Sequence, residues 1–267
     1  MDKYSKYFEA NKALWDAKTP IHIASKFYDM DAFYAGENTL RAIELAELPS
    51  IDGKAVLHSQ CHFGQDTLSM ERMGASCTAI DISSEAIKKA EEIRDKMGLT
   101  SKFICSNVYD IDQHIEELYD LVFTSYGVIG WLPDLDKWAE QLCKRLKPGA
   151  FFYMAEFHPV LYMFDWEADQ VAYRYFNDGN PYEEENEGTY VDREADIKMK
   201  EYFWQHSTSE ILNALIGQGM EIMHFNEYDY SPYNCFPNLT ELEDQKFQYK
   251  HNGVAPPHVF TIMARKK

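Results

Sequence analysis

The stretch from Lys54 to Ser83, KAVLHSQCHFGQDTLSMERMGASCTAIDIS, constrains this chain more than any other. Ala55, Val56 and Leu57 form a short apolar strand, which runs into a turn ending at Gly64. A helix then continues through Met73, and a second strand, Cys77 to Ile80, ends on the acidic Asp81. That order is half of a nucleotide-binding βαβ unit. Its acid stands about 20 residues past the loop, where a carboxylate accepts hydrogen bonds from both hydroxyls of a ribose. Any parallel α/β protein also alternates strand, loop, helix and strand, so the remaining chain must decide the reading.

Upstream, residues 2–18 fit a polar helix with the face Tyr4, Tyr7, Phe8, Leu14 and Trp15, expected to stop before Pro20. An irregular aromatic segment with His22, Phe27 and Tyr28 follows, then a helix over about 38–48. Downstream of Asp81, Ser83 is a candidate cap for a helix whose apolar positions are Ala86, Ala90, Ile93 and Met97, with Gly98 as its stop. A third strand near 102–106 delivers Asn107 and Val108 to the rim that holds Asp81. A fourth, Leu121 to Thr124, delivers Ser125, Tyr126 and Gly127, with Trp131 on the loop beyond. A helix from Asp134 or Asp136 to Leu146 precedes the turn Lys147-Pro148-Gly149 and a fifth strand ending at EFHP. Five strand signals alternating with helices imply a doubly wound sheet.

From 160 to 204 the periodicity changes. VAYRYF, TYVDR and IKMKEYFW alternate as half-exposed antiparallel strands, separated by the acidic turn NDGNPYEEENEG. Ser207 or Ser209 then caps EILNALIGQG. MEIMHFNEYD and HVFTIMARKK read as the last strands, joined by a loop with a short helical turn. The chain thus reads as one α/β domain over 1–267, with an arm at 1–35 and an inserted region at 158–204.

Composition narrows the partners. Forty-four acids against 26 Lys and Arg give a net charge of −18, which repels nucleic acid and anionic membranes. Cys61, Cys77, Cys105, Cys143 and Cys235 are scattered, without the spacing of a zinc or redox site, so no metal is expected. With no signal peptide and no run of 18 apolar residues, a cytoplasmic protein is expected.

These motifs resemble class I S-adenosylmethionine (SAM)-dependent methyltransferases over about 36–157 and 205–265. In that family the loop reads as an acid, one residue, then Gly-x-Gly-x-Gly. Here His58 stands at the acid, Gln60 and His62 at the first two glycines, and only Gly64 matches, a version similar to a variant branch of the family. A side chain at 60 or 62 must either accept strain at positive φ or leave that backbone region. The resemblance implies a seven-stranded, mostly parallel sheet with an antiparallel last strand, and SAM as cofactor. Asp81 and Ile82 would hold the ribose, Asn107 and Val108 the adenine, and His58, Gln60, His62, Gly64 and Ser125 the rest of the cofactor. The N-terminal arm with Trp15 and His22 would fold over it. Tyr126 and Trp131 would face a small-molecule methyl acceptor. If that acceptor needs a base, His158, just past the fifth strand, is the first candidate and Glu156 the next. Two alternatives stand beside a methyltransferase: a SAM-binding regulatory or scaffold protein without transfer, and an NAD-dependent oxidoreductase. The second lacks any GxGxxG after a strand.

Overall fold

The computed structural model describes residues 3–166, 168–243 and 245–267. Met1, Asp2, Glu167 and Asp244 lie outside the described residues, and with them one end of the expected N-terminal helix and one position each of the insertion and the late loop. Seven strands form the central sheet: β1 (Ala55–Ser59), β2 (Ser76–Asp81), β3 (Lys102–Cys105), β4 (Tyr119–Ser125), β5 (Leu146–Phe157) and two that follow the insertion. The insertion contributes β6 (Phe164–Asp165), β7 (Gln170–Val171), β8 (Tyr182–Glu187) and β9 (Lys198–Phe203). After it come β10 (Met220–Tyr228), the small pair β11 (Thr240–Glu241) and β12 (Phe247–Gln248), and β13 (Val259–Lys266).

The sheet order is β10-β13-β5-β4-β1-β2-β3. β1 to β5 pair in parallel, and β13 runs antiparallel to both β5 and β10. The order reverses between β1 and β4, which opens a crevice at their carboxyl ends, where open α/β sheets bind ligands.

The helices are α1 (Ser5–Ala24), α2 (Met30–Tyr34), α3 (Ala42–Glu47), α4 (Gln65–Arg72), α5 (Ser84–Met97), α6 (Leu135–Lys144) and α7 (Thr208–Gly217). Alternate residues of the central strands enter opposite cores, as the pleat requires. Leu57, Val122, Phe152 and Met154 pack in one, and Val56, Leu121, Phe123 and Tyr153 in the other. Side-chain caps at Ser83, Asp134 and Ser207 start α5, α6 and α7, and Gly98 ends α5 in the left-handed region.

Several expected boundaries are corrected. α1 does not stop before Pro20 but carries it inside and runs to Ala24, because buried Thr19 and His22 hold the last turns against the rest of the chain. α3 covers only Ala42–Glu47. Leu146 belongs to β5, and Lys147-Pro148-Gly149 forms a register break within that strand. In the insertion the acidic segment is not a turn. Its second half is β8, paired with β9 by Lys198–Glu187 at 2.9 Å, Lys200–Glu183 at 2.5 Å and a stacked Tyr182–Phe203 pair at 5.2 Å. TYVDR carries no strand, nor does VAYRYF beyond Val171, and the segment from 231 to 257 holds the β11–β12 pair where a helical turn was expected.

Candidate functional site

At the carboxyl end of the sheet lies a cavity of about 660 Å³, walled by the strand-end loops, the N-terminal arm and the insertion. Its first wall is the loop His58–Gly64. Gln60, His62 and Gly64 have φ of 59°, 51° and 81°, so the loop keeps the alternating left-handed path of a glycine-rich turn and the two side chains accept the strain. Each such non-glycine residue costs about 1–2 kcal/mol. Glycine is required at 64: a Cβ there would stand 2.6 Å from the Phe103 ring, with α4 starting at the next residue.

Backbone and side-chain bonds hold the strained path. The Cys61 amide donates to Ile80 O at 3.0 Å, the His62 amide donates to the Asp81 carboxylate at 2.8 Å, and Gln60 Nε2 donates to Val128 O at 3.1 Å. His58 is buried beneath the loop with Nδ1 at 2.8 Å from Thr67 Oγ1, and burial pushes its pKa down to about 4.

Asp81 ends β2 in the cavity wall. Its other oxygen accepts the Ser83 amide at 2.8 Å, yet burial raises its carboxyl to about 6. Ile82, Asn107 and Val108 line the same end, and the Asn107 side chain accepts the Tyr109 amide at 3.1 Å. Ser125, Tyr126 and Trp131 line the opposite side. Tyr126 donates from its hydroxyl to the buried Glu44 at 3.2 Å, and the Trp131 indole donates to Gly127 O at 2.7 Å.

Two expected residues sit elsewhere. His158 does not line the cavity: its Nδ1 accepts the Val160 amide at 3.1 Å and its Nε2 faces Glu227 at 2.9 Å, so it braces the turn after β5 and is out of reach as a base. The first base candidate is thus not brought to the cavity: its ring packs against Phe260 of β13 and faces Glu227 of β10. Glu156 does line the cavity, but its carboxylate is held by the amides of Gly127, Val128, Ile129 and Phe157, which makes it the anchor of the loop after β4. His22 is fully buried beside the cavity wall, its Nδ1 at 2.9 Å from His62 Nε2.

A family model described as a methyltransferase domain matches residues 52–216. The chain belongs to that family. Phosphoethanolamine N-methyltransferase 1 of Zea mays is 34% identical over 115 residues, covering 42% of this chain and 23% of that enzyme. Magnesium-protoporphyrin O-methyltransferase of Rhodobacter capsulatus is 28% identical over 138 residues, 49% of this chain and 58% of the relative. The matches therefore span about a quarter to a little over half of these relatives' lengths. The solved DhpI–SAH complex shares the fold, with a TM-score of 0.58, 15% identity and 97% of each chain covered.

Arg41 and Asp66 in the cavity wall, and Asp16 outside it, come from beyond the sequence motifs. Arg41 stacks 4.5 Å over Tyr233. Its Nε is buried without a hydrogen-bond partner, and no ion pair of the guanidinium is found among the described residues. Burial works against its charge, but Tyr233, Asp66 and Glu44 more than offset this and raise its pKa. Asp66, in the first turn of α4, accepts Thr39 Oγ1 at 2.6 Å. Asp16 on the arm accepts Ser83 Oγ at 2.7 Å and the Glu85 amide at 3.1 Å, tying α1 to the start of α5. In sequence Arg41 is one cation before a short helix and Asp16 one acid of a polar helix, so neither carries a signal by spacing. The far half of the cavity is aromatic, with Phe27, Tyr162, Trp166, Tyr233 and Phe236 in its wall.

Proposed function

We propose that the protein transfers the methyl group of SAM to a small-molecule acceptor held in the aromatic half of the cavity. The observation that carries this reading is one continuous space, running from Asp81 and Asn107 past Ser125 to Tyr162, Tyr233 and Phe236, and covered by the arm and the insertion. A chamber of this size suits a small acceptor. The names of both relatives, which specify phosphoethanolamine and magnesium-protoporphyrin, agree with that class.

In this reading Asp81 accepts the ribose hydroxyls and Ile82 packs beside them. Asn107 and the Val108 amide meet the adenine. Gln60, His62 and Gly64 carry the methionine segment, with His58 beneath them, and Arg41 pairs its carboxylate. That pairing would give the buried Arg41 Nε, which has no hydrogen-bond partner, an acceptor. Ser125 and Tyr126 lie under the sulfonium, Trp15 and Trp131 close its side, and the arm (1–35) and insertion (158–204) act as lids. Transfer is an in-line displacement at the methyl carbon, for which alignment and exclusion of water supply most of the acceleration. Five cysteines without a disulfide fit a reducing compartment, and we place the protein in the cytoplasm on that ground.

The test incubates purified protein with SAM and a fractionated small-molecule extract and follows S-adenosylhomocysteine (SAH). Extract-dependent SAH release supports transfer. Tight SAH binding by calorimetry with no turnover on any fraction would favour a SAM-binding regulator instead.

A further inference from the structure

We infer that His62, standing where the family's loop has its second glycine, is a positioning residue that fastens the N-terminal arm and the inserted hairpin to the cofactor loop, so that both lids close as one unit over SAM. The inference rests on the functional reading above and adds how the lids are joined to the cofactor.

Three separate parts of the chain meet here: the loop's His62, the arm packed on its ring, and the insertion packed on the arm's His22. From the arm, His22 Nδ1 lies 2.9 Å from His62 Nε2, and the rings of Trp15, His22 and Tyr28 lie at 5.2, 5.1 and 5.7 Å from it. From the insertion, Tyr190 packs against His22 at 4.7 Å, with its hydroxyl 3.5 Å from Nδ1 and hydrogen-bonded to the Tyr28 hydroxyl. The proton arrangement follows from burial. His22 Nε2 is buried with no partner, and an orphaned lone pair is less costly there than an orphaned N–H. The proton therefore sits on His22 Nδ1, which donates to His62 Nε2, and both rings are neutral.

The arm and the insertion are already one body. Asn11 Nδ2 donates to Tyr202 O at 2.8 Å and Asn11 Oδ1 accepts the Tyr202 amide at 2.9 Å, while Lys18 pairs with Glu201 at 3.4 Å. That body also touches the frame through Asp16 at α5, and the Tyr28 carbonyl accepts from Gln65 Nε2 at 2.8 Å. His62 is its hydrogen-bonded attachment to the loop that carries the cofactor, beside the Tyr28–Phe63 ring contact at 4.7 Å. A glycine at 62 would hold the same backbone without strain but present nothing for His22 to grip, which gives the side chain a reason to be there despite its φ of 51°.

Amide hydrogen exchange on the full chain, with and without SAH, tests this alongside calorimetry. In the unaltered protein SAH should slow exchange in residues 5–34 and 182–203 together. His62→Gly relieves the backbone and should nevertheless weaken SAH about tenfold and abolish ligand-dependent protection of both segments. His22→Ala leaves the loop untouched and should do the same, and the double variant should bind no more weakly than either single one. Retained protection of both segments in either single variant, or multiplied losses in the double variant, would overturn the inference. Absence of SAH binding by the unaltered protein would instead overturn the functional reading. The latch would then be read from ligand-free His22→Ala, with unchanged exchange in 5–34 counting against it.

Discussion

In the proposed reading the side chain with the most leverage on SAM is Asp81. Hydrogen bonds to a charged group contribute roughly 1.5–3 kcal/mol, so Asp81→Ala should weaken SAH about 10- to 150-fold by calorimetry. Because burial raises its carboxyl from 3.8 to about 6, and ribose hydroxyls donate to the charged form, SAH affinity should be level above pH 7 and fall as pH drops below about 6. Binding near pH 6 should then release a proton, visible as a buffer-dependent heat. For folding, a raised acid stabilises below its unfolded pKa and loses that contribution as pH rises through the folded value, so Asp81 and Glu44, the latter at about 7, favour the fold under acid conditions. The buried His22 and His58 and the half-buried His62, pushed down to about 2, 4 and 3 chiefly by desolvation, act in the opposite sense. They leave stability intact above 6.5 and withdraw it as pH falls below that. Gly64→Ala combines positive φ with a Cβ against Phe103 and should lower unfolding free energy by about 2–4 kcal/mol in urea titrations.

At the scale of elements, α1 shows how tertiary contacts outweigh a local rule. Pro20 removes one helical donor, yet the helix continues because Leu14, Thr19 and His22 are buried and Asp16 caps α5 from outside. Removing residues 1–30 should therefore weaken SAH binding while circular dichroism still reports a folded sheet. Full affinity in the truncated protein would make the arm packing alone. The β8–β9 hairpin makes the converse point. A run of four acids in five residues from Glu183 to Glu187 reads as a turn in isolation, and it becomes a strand because Lys198 stands opposite Glu187 and Lys200 stands opposite Glu185 and pairs diagonally with Glu183. Changes on this hairpin should alter acceptor selectivity more than SAH affinity, a difference that kinetics with two acceptors and calorimetry with SAH would separate.

For the whole molecule, a charge of −18 offers few cations for counterion release, so DNA or RNA should give no salt-sensitive shift in a gel at physiological salt. No helix among the described residues is long and apolar enough to cross a membrane, and no group of His, Cys, Asp or Glu there is arranged to hold a metal. SAH should accordingly bind unchanged in the presence of a chelator. The sequence by itself determined the five parallel strands, the strand-end positions of Asp81, Asn107 and Ser125, and the cap at Ser83, because apolar periodicity and capping chemistry act over a few neighbouring residues. The loop 58–64 was legible as a turn but not in its path: whether Gln60 and His62 would bear positive φ depended on bonds to Val128, Asp81 and His22 from distant segments. Only the tertiary structure turned His158 away from the cavity, engaged Glu156 with four backbone amides and brought Arg41 to its wall. Those outcomes depend on where a backbone reversal points one side chain and on which remote partner it meets there, and neither is encoded in spacing along the chain.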